Sequence, residues 1–350
     1  MQFATPRYDG RFHTERLRTV RKAKKILNDP KNVVPEMLDG LIATYNGRVR
    51  KLDGMNAMAR VDIPDGKVAL LIGGGSGHEP AYHGFVGDNM ADGAALGNVF
   101  AAPTPDIILE ATRAIHRGKG VLYLYGNYAG DILNFDMAAE MAAEEGIEVR
   151  TLLIRDDVAS GAIENRRGIG GAMLAVKIAG GAAATLDTLD EVVGVTSKAL
   201  DNIRSISVAL YAGSIPETGK FTFELADDEI EIGMGVHGEA GVWREKMVPT
   251  DTLVDKMLEF ILQDLPFKRG DEVCVLINGA GSTTNMELLI ANRRTLQVLA
   301  ANGISVHECV VGSLFTTQEM AGFSISLMRV DTELNHYYDM PIRSFGWTKW

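Results

Sequence analysis

The stretch Lys67–Pro80, KVALLIGGGSGHEP, decides how the rest of the chain is interpreted. Its apolar part, Val68–Ile72, predicts a strand that is buried on both faces. Glycines follow, together with Ser76, Gly77 and His78, so the backbone can turn sharply and present N–H groups to a ligand. Ligands of open α/β sheets bind at the carboxyl ends of the strands. We therefore place the centre of the active site at this turn, with His78 at its mouth.

None of the common phosphate-binding or nucleophile motifs fits this turn. A phosphate-binding P-loop needs Lys-Ser/Thr after the glycines. A dinucleotide fingerprint and a nucleophile elbow both need a glycine where His78 stands. A zinc site of the H-E-x-x-H type fails because Tyr82 occupies the last position. The stretch is therefore a glycine-rich cradle that carries a histidine, and a purely structural glycine turn stays open as the alternative.

Length and composition narrow the classes of protein. A chain of 350 residues favours two domains. The net charge of −11, from 46 acidic residues against 35 Lys and Arg, disfavours nucleic acid as a partner. The basic cluster Arg16–Lys25 has no interleaved aromatic residues, so we interpret it as a solvated helix face. We find no signal peptide and no long apolar run, and both cysteines lie in apolar strand-like runs. We therefore expect a cytoplasmic protein with no membrane contact.

The order of the apolar runs predicts an α/β fold with two α/β domains. In the first domain, residues 1–200, strands alternate with helices, which is typical of a largely parallel sheet. In the second domain, residues 201–330, short strands with short connections predict a mixed sheet with antiparallel strands. Phe221–Leu225 is one of these predicted strands, whereas Met90–Phe100 is rich in glycine and alanine and shows no clear period. The tail, residues 331–350, is expected to pack on the first domain.

A second glycine-bearing loop follows the predicted strand Val121–Tyr125 and ends at Asp131. Taken alone, Asp131 is better explained as a helix cap or an ordinary acid in the first turn of a helix. However, both loops leave the carboxyl ends of strands in one sheet, so His78 and Asp131 can face the same ligand. A histidine and a carboxylate on one hydroxyl form a workable general acid–base pair.

A third glycine-rich stretch lies in the second domain. His237 stands between glycines in Gly233–Gly241, GMGVHGEAG, at the end of a predicted strand. Glycine on both sides leaves the imidazole accessible, whereas a histidine of the core more often has bulky apolar neighbours. His83 comes shortly after the first cradle, and we expect it to shape the pocket from behind the ligand-binding residues.

Several motifs occur along the chain in one order. They are GGGSGHEP (Gly73–Pro80), PTPD (Pro103–Asp106), NYAGDILNF (Asn127–Phe135) and GVHGEAG (Gly235–Gly241), with shorter matches at Asp156–Ala159, Arg166–Gly168, Ser205–Leu210 and Gly322–Leu327. Together they resemble the substrate-binding K subunit of the dihydroxyacetone kinase family. The resemblance covers nearly the whole chain from about residue 30, and the combination of motifs is highly specific.

The resemblance implies a covalent mechanism. In this family, the histidine that matches His237 attacks the carbonyl carbon of a short ketose and forms a hemiaminal. The residue that matches Asp131 draws the proton from the terminal hydroxyl, and His78 assists as an acid–base group. The loop residues that hold the substrate oxygens match Gly75, Ser76 and Gly77.

The resemblance also implies what this chain lacks. In the family, a separate, all-helical subunit carries magnesium with ADP or ATP, so we expect no metal or other cofactor on this chain. The partners implied are a short-chain ketose, that nucleotide-carrying subunit and a second copy in a homodimer. Two rivals are a non-catalytic, ketose-binding regulatory paralogue and an NAD-type oxidoreductase, and the failed dinucleotide fingerprint argues against the second.

One departure from the family pattern concerns the substrate. The family often has lysine before the Asn-Tyr of the second loop, and here Gly126 follows Tyr125 instead. We expect the missing side chain to leave room, and we expect Tyr125 and Gly126 to shape the pocket. The substrate is therefore either dihydroxyacetone or a larger ketose such as the four-carbon erythrulose.

Overall fold

The structure, a computed structural model, describes residues 23–350. The predicted loose arm at residues 1–20 and most of the basic cluster lie outside the described residues. Lys25, the last member of that cluster, lies in an irregular segment, so the predicted helix face is wrong there. Its ammonium donates to Gln318 Oε1 at 2.9 Å and pairs with Glu319, and these contacts hold the segment against the second domain. None of the helices in residues 23–350 is both long and apolar enough to cross a membrane.

The first domain contains a six-stranded sheet. Its strands are β1 (Val49–Lys51), β2 (Ala57–Arg60), β3 (Ala69–Ser76), β4 (Gly93–Val99), β5 (Val121–Gly126) and β6 (Val149–Ile154). The spatial order is β1-β2-β4-β3-β5-β6. The last four strands of this order are parallel, and β1 and β2 add an antiparallel edge. The prediction of a largely parallel sheet is confirmed.

Helices cover both faces of this sheet. They are α1 (Val33–Thr44), α2 (Pro105–Ile115), α3 (Ala129–Glu144), α4 (Ala172–Thr185) and α5 (Leu189–Asp201). The apolar sides of α2 and α3 pack on one face, and those of α1, α4 and α5 belong to the core on the other. This arrangement leaves the loops after β3 and β5 side by side at the carboxyl edge, where ligands of such sheets bind.

Strands β3 and β4 differ from the sequence prediction, because their glycines allow close packing against neighbouring backbone. Strand β3 continues to Ser76, well beyond the predicted end, and a Cβ on Gly73 would lie 2.4 Å from the carbonyl oxygen of Ala95. Strand β4 was not expected, since glycine and alanine disfavour strands. It is central, and a Cβ on Gly97 would lie only 1.8 Å from the carbonyl oxygen of Ala101.

The second domain contains a mixed sheet, which confirms the prediction. Its strands are β7 (Ile203–Tyr211), β8 (Glu229–Ile232), β9 (Trp243–Lys246), β10 (Glu272–Gly279), β11 (Ser305–Gly312) and β12 (Ala321–Val330). The order is β11-β10-β12-β7-β8-β9, and only β10 and β11 are parallel. Helices α6 (Thr250–Asp264) and α7 (Asn285–Asn302) pack on one face, and the other face shares an apolar core with α4 and α5.

The predicted strand Phe221–Leu225 is wrong. Strand β9 occupies the edge beside β8, and residues 221–225 form a loop instead. In this loop, the Thr222 amide donates to the carbonyl of Gly213 at 3.0 Å, and Phe223 packs against the small apolar cluster around Met234. The alternation of apolar residues therefore reflects packing over the surface of the domain.

The chain ends in helix α8 (Thr332–Asp339) and a hairpin of β13 (Ile342–Arg343) and β14 (Thr348–Lys349). Both contact the first domain. The buried ammonium of Lys177 on α4 donates to the carbonyl oxygens of Tyr337 and Met340, at 2.8 and 3.0 Å. The rings of Tyr338 and Trp347 belong to the core that includes α4.

Candidate active site

His78 lies in the loop directly after β3 and is only 2% exposed. Its Nδ1 is 2.7 Å from the carbonyl oxygen of Thr316. A carbonyl can only accept, so Nδ1 donates and Nε2 carries the lone pair. The rings of Phe100 and Phe315 flank the imidazole, with centroids 5.3 and 5.0 Å away. Burial, together with the nearby His237, lowers the pKa of His78 to about 3, which favours the neutral ring.

His237 lies in the loop after β8, and Glu239 fixes its orientation. One carboxylate oxygen of Glu239 is 2.9 Å from Nδ1 of His237, and the other accepts the backbone N–H of His237 at 2.8 Å. Burial alone would raise the pKa of Glu239, but the bond to His237 and its charge outweigh burial and lower the pKa to about 2. The ionised carboxylate therefore holds Nδ1–H and leaves the lone pair of His237 on Nε2.

Glycine makes this arrangement possible. A Cβ on Gly235 would lie 2.1 Å from Oε2 of Glu239, so only glycine leaves space for the carboxylate. Gly238 has φ +88°, a backbone conformation that other residues rarely adopt. The turn around His237 thus depends on its two flanking glycines.

The two imidazoles meet between the domains. The Nε2 atoms of His78 and His237 are 3.0 Å apart, with the rings at 67°. Each Nδ1 donates to a fixed acceptor, so in two neutral rings both Nε2 atoms carry lone pairs. A hydrogen bond between the Nε2 atoms therefore requires one additional proton. Tyr128 closes another side, because its ring centroid lies 4.9 Å from that of His237 and its hydroxyl donates to the carbonyl of Gly168 at 3.0 Å.

Asp131 lies in the first turn of α3, where the helix dipole favours a negative charge. It is 8% exposed, and its Oδ1 has no hydrogen-bond partner among residues 23–350. Burial raises the pKa of Asp131 to about 7, although the charge of His237 acts in the opposite direction. A carboxyl group with this pKa can take a proton near neutral pH.

Some hydrogen-bonding groups of the predicted cradle are already bonded to other groups of the protein. The hydroxyl of Ser76 donates to the carbonyl of Gly97 at 2.7 Å, and the amide of Gly77 donates to Oε1 of Glu79 at 2.9 Å. A Cβ on Gly75 would lie 2.9 Å from the amide nitrogen of Ala101. Close packing within the protein therefore accounts for Gly75. The hydroxyl of Ser76 has already donated its hydrogen, but it can still accept a hydrogen bond.

Three further residues predicted to shape the pocket lie in different surroundings. Tyr125 is buried and stacks on Phe135 at 4.1 Å, in the core beneath α3. The space beside Gly126 is not open, since a Cβ there would lie 2.9 Å from the ring of Tyr128. His83 is not brought to the two histidines.

His83 instead lines a separate cavity of about 550 Å³ between α1, the loop after β3 and the C-terminal hairpin. It is 2% exposed, and burial lowers its pKa to about 4. The residues of this cavity are Met37, Gly40, Leu41, Thr44, Glu79, Pro80, His83, Ser313, Phe345 and Gly346.

Sequence reasoning missed three groups that hold the site together. Glu239 and Tyr128 stand inside quoted motifs, and an acid two residues after an exposed histidine is a usable signal. Thr316 acts through its backbone carbonyl, which has no signature in a sequence. Among residues 23–350, no three His, Cys, Asp or Glu side chains are grouped as metal ligands.

This geometry can be compared with known proteins. The Dak1 domain family matches residues 39–346. The chain belongs to the Dak1 family. One Dak1 relative is the dihydroxyacetone-binding subunit DhaK of a PTS-dependent dihydroxyacetone kinase from Listeria innocua. It is 40% identical over 321 residues, which cover 91% of this chain and 97% of the relative. An L-erythrulose kinase from Pectobacterium atrosepticum is 34% identical over 90% of this chain, which spans 55% of that enzyme.

Solved structures of similar proteins have the same fold. The dihydroxyacetone kinase of C. freundii in complex with AMP-PNP and Mg²⁺ matches with a TM-score of 0.85 and 30% identity, over 93% of this chain and 61% of that one. A dihydroxyacetone kinase operon co-activator, DhaQ, matches with a TM-score of 0.86 and 32% identity, over 90% of this chain and 99% of that one. This fold is thus found in an enzyme and in a co-activator.

Proposed function

We propose that this Dak1 chain is the ketose-binding subunit of a dihydroxyacetone-type kinase. The observation that carries the proposal is the pair of imidazole Nε2 atoms at 3.0 Å, with His78 from one domain and His237 from the other. The buried Oδ1 of Asp131, which has no hydrogen-bond partner among residues 23–350, supplies the third group. The names of the relatives support the same activity, since they are dihydroxyacetone-binding subunits and kinases of short ketoses.

Capture of the ketose is covalent in this proposal. The Nε2 lone pair of His237 forms a bond to the carbonyl carbon, while the carbonyl π bond breaks and its oxygen takes up a proton. Nδ1 of His237 gives up one proton, which Glu239 accepts and passes on, and the carbonyl oxygen gains one, so the product is a neutral hemiaminal that contains all atoms of the ketose. Glu239 favours this step because its carboxylate stabilises positive charge on the ring as the bond forms. A covalent bond suits a small, polar ligand that offers little apolar surface.

The fixed ketose then presents its terminal hydroxyl. Asp131 takes the proton of this hydroxyl as the oxygen attacks phosphorus, and a pKa of about 7 suits that role. His78 donates or accepts a hydrogen bond beside it. In this proposal, His237 binds the ketose and Asp131 acts in phosphoryl transfer.

The phosphoryl donor belongs to another subunit in this proposal. A separate helical subunit carries Mg²⁺ with ADP or ATP, and this chain holds no cofactor. The C. freundii kinase supports the division, because its chain continues beyond the part matched here and was solved with AMP-PNP and Mg²⁺. We also propose a cytoplasmic homodimer as the working form.

The substrate is a short ketose. Dihydroxyacetone is favoured by the names of the relatives with high coverage, and erythrulose by the Pectobacterium kinase. Because the ring of Tyr128 takes the space beside Gly126, the size of the pocket depends on Tyr128.

The regulatory alternative has less support. A protein that only binds a ketose needs the covalent histidine but no base. Here, Asp131 is kept buried without a partner for Oδ1 among the described residues, which is costly unless the carboxylate has a task.

The proposal is tested with dihydroxyacetone labelled with ¹³C at the carbonyl carbon. On addition of the protein, the carbon signal should move from the carbonyl region to that of a tetrahedral carbon. Phosphorylated ketose should form only when the nucleotide-carrying subunit and MgATP or its phosphorylated carrier are added. A bound ketose that keeps its carbonyl signal would exclude the covalent mechanism.

A further inference from the structure

One segment of the first domain contacts both of the loops that carry the reacting groups. We call residues 155–171, which join β6 to α4, the bridging segment. It is bonded to the loop after β5 at two points. Nδ2 of Asn127 donates to the carbonyl of Arg166 at 2.8 Å, and the hydroxyl of Tyr128 donates to the carbonyl of Gly168 at 3.0 Å. The bridging segment therefore has a fixed position relative to the loop that leads to the proposed base.

Arg167 connects the bridging segment to the loop of His237 in the second domain. One of its terminal nitrogens, Nη2, donates to the carbonyl of Gly233 at 2.9 Å. The other, Nη1, lies beside Gly235, since a Cβ on this glycine would be 2.5 Å from Nη1 and 2.1 Å from Oε2 of Glu239. The guanidinium thus binds the backbone that leads to His237 and lies near the carboxylate that orients its ring.

Asp157 holds the guanidinium of Arg167 in this place. Its Oδ2 accepts from Nε at 2.9 Å and lies 2.7 Å from Nη2. Burial raises the pKa of Asp157 to about 6, although the charge of Arg167 acts in the opposite direction. The backbone is fixed as well, because the amide of Asp157 donates to the carbonyl of Arg167 at 3.1 Å and the amide of Arg167 donates to Oγ of Ser160 at 3.0 Å. The planar guanidinium binds a carboxylate and a carbonyl at once, which suits its several donors in fixed directions.

We propose that Arg167 is a positioning residue for His237, an inference that rests on the function proposed above. Arg167 does not touch the ketose. It acts through the carbonyl of Gly233 and beside Glu239, and so fixes the covalent histidine relative to the domain that carries Asp131. Capture requires Nε2 of His237 at the carbonyl carbon while the terminal hydroxyl lies at Asp131, and a displacement of about 1 Å is enough to weaken such a reaction strongly.

The neighbouring arginine provides a matched control. Arg166 also joins the two domains, because its Nη1 donates to Oδ1 of Asp264 on α6 at 2.9 Å. Its side chain is 8% exposed, against 12% for that of Arg167. Asp264 also pairs with Arg204, so it keeps a cation when Arg166 is replaced. Among residues 23–350, the side chain of Arg166 has no hydrogen bond to the loop of His237.

The first test compares Arg167→Lys with Arg166→Lys. Lysine keeps the positive charge beside Asp157, but its ammonium lacks the planar fork that binds the carboxylate and the carbonyl of Gly233 together. In Arg167→Lys, the dihydroxyacetone concentration for half-maximal adduct should rise about tenfold, while kcat at saturating ketose stays within about threefold of wild type. Arg166→Lys should match the wild type in both measurements. Wild-type affinity in Arg167→Lys, or an equal loss in the two variants, would overturn the proposal.

The second test combines each lysine variant with Glu239→Gln. If Arg167 acts through the loop of His237, the two losses should not multiply, because the imidazole is already displaced in Glu239→Gln. The variant with both Arg167→Lys and Glu239→Gln should then bind the ketose about as weakly as the weaker single variant. Adding Arg166→Lys to Glu239→Gln should cause no further loss. Fully multiplicative losses for Arg167 and Glu239 would exclude a role through His237.

A further variant keeps the test decisive if Arg167→Lys does not fold. Asp157→Asn with Arg167→Met removes both charges of the pair, so no unpaired buried charge remains, and it should show the same loss of ketose affinity. If the wild type itself forms no adduct, the proposed function fails, and the role of Arg167 fails with it. If the wild type forms the adduct and the Arg167 variants bind the ketose equally well, the proposed function stands and the positioning role is wrong.

Discussion

The Nε2 atoms of His78 and His237 lie 3.0 Å apart, although 159 positions and a domain boundary separate the two residues. The contact exists because the sheet of the second domain shares an apolar core with α4 and α5 of the first. Backbone bonds hold the His78 loop against the second domain, since Thr316 and Gln318 donate their amides to the carbonyls of His78 and Gly77, at 3.1 and 2.8 Å. The candidate site therefore depends on the docking of the two domains.

Glu239→Gln should weaken adduct formation and leave the fold intact. The variant replaces the carboxylate that accepts from both Nδ1 and the backbone N–H of His237. One hydrogen bond to a charged group contributes about 1.5–3 kcal/mol, so ketose affinity should fall roughly ten- to a hundredfold. Calorimetric titration with dihydroxyacetone measures this, and Glu229→Gln on β8 is the control. An affinity equal to wild type would remove Glu239 from its positioning role.

Asp131→Asn should bind the ketose but transfer almost no phosphoryl group. Loss of a general base costs about 10²–10⁴ in rate. In the wild type, kcat/KM should rise with pH and level off above about 7, because the pKa of Asp131 is raised to about 7 and the ionised form is the base. A pH profile that is flat between 5 and 8 would contradict this role, and so would full activity of the variant.

Asp131 should also reduce the stability of the folded chain at neutral pH. Its pKa is about 7 when folded against an ordinary value of 3.8, so the folded state binds more protons between these values. The free energy of unfolding contributed by this group therefore falls as pH rises from about 4 to 7. Urea unfolding of Asp131→Asn should show a gain at pH 8 that disappears near pH 4. The exposed Asp136→Asn on the same helix should show no such gain.

Tyr128 should set the size of the ketose that the site accepts. Its ring lies against His237 and fills the space beside Gly126. Tyr128→Leu should raise the affinity for erythrulose relative to dihydroxyacetone, because it removes part of the ring volume. Tyr128→Phe keeps the ring and loses only the bond to Gly168, so it should retain the wild-type preference. The same preference in both variants would show that the pocket is bounded elsewhere.

The sequence predicted the α/β class, both domains and most helices and strands, because their apolar periods are clear. It did not predict β4, whose Gly93 and Gly97 are required by close packing against neighbouring residues. It also assigned Phe221–Leu225 to a strand, since an apolar alternation in a surface loop looks the same as one in a sheet.

The sequence also indicated some residues of the candidate site and missed others. His78, Asp131 and His237 were singled out because glycines surround them or because they follow strands. The role of the Thr316 carbonyl could not be predicted, since any residue supplies one. The space beside Gly126 could not be assessed either, because it is filled by the ring of Tyr128, two residues further along the chain.

The central claim is that His237 binds the ketose covalently, and intact-protein mass spectrometry tests it most directly. Wild-type protein incubated with dihydroxyacetone should gain the whole mass of the ketose, because a hemiaminal forms without loss of water. His237→Ala should show no gain, while the control His336→Ala, on α8, should match the wild type. A gain that persists in His237→Ala, or a wild-type protein that gains no mass, would contradict the account.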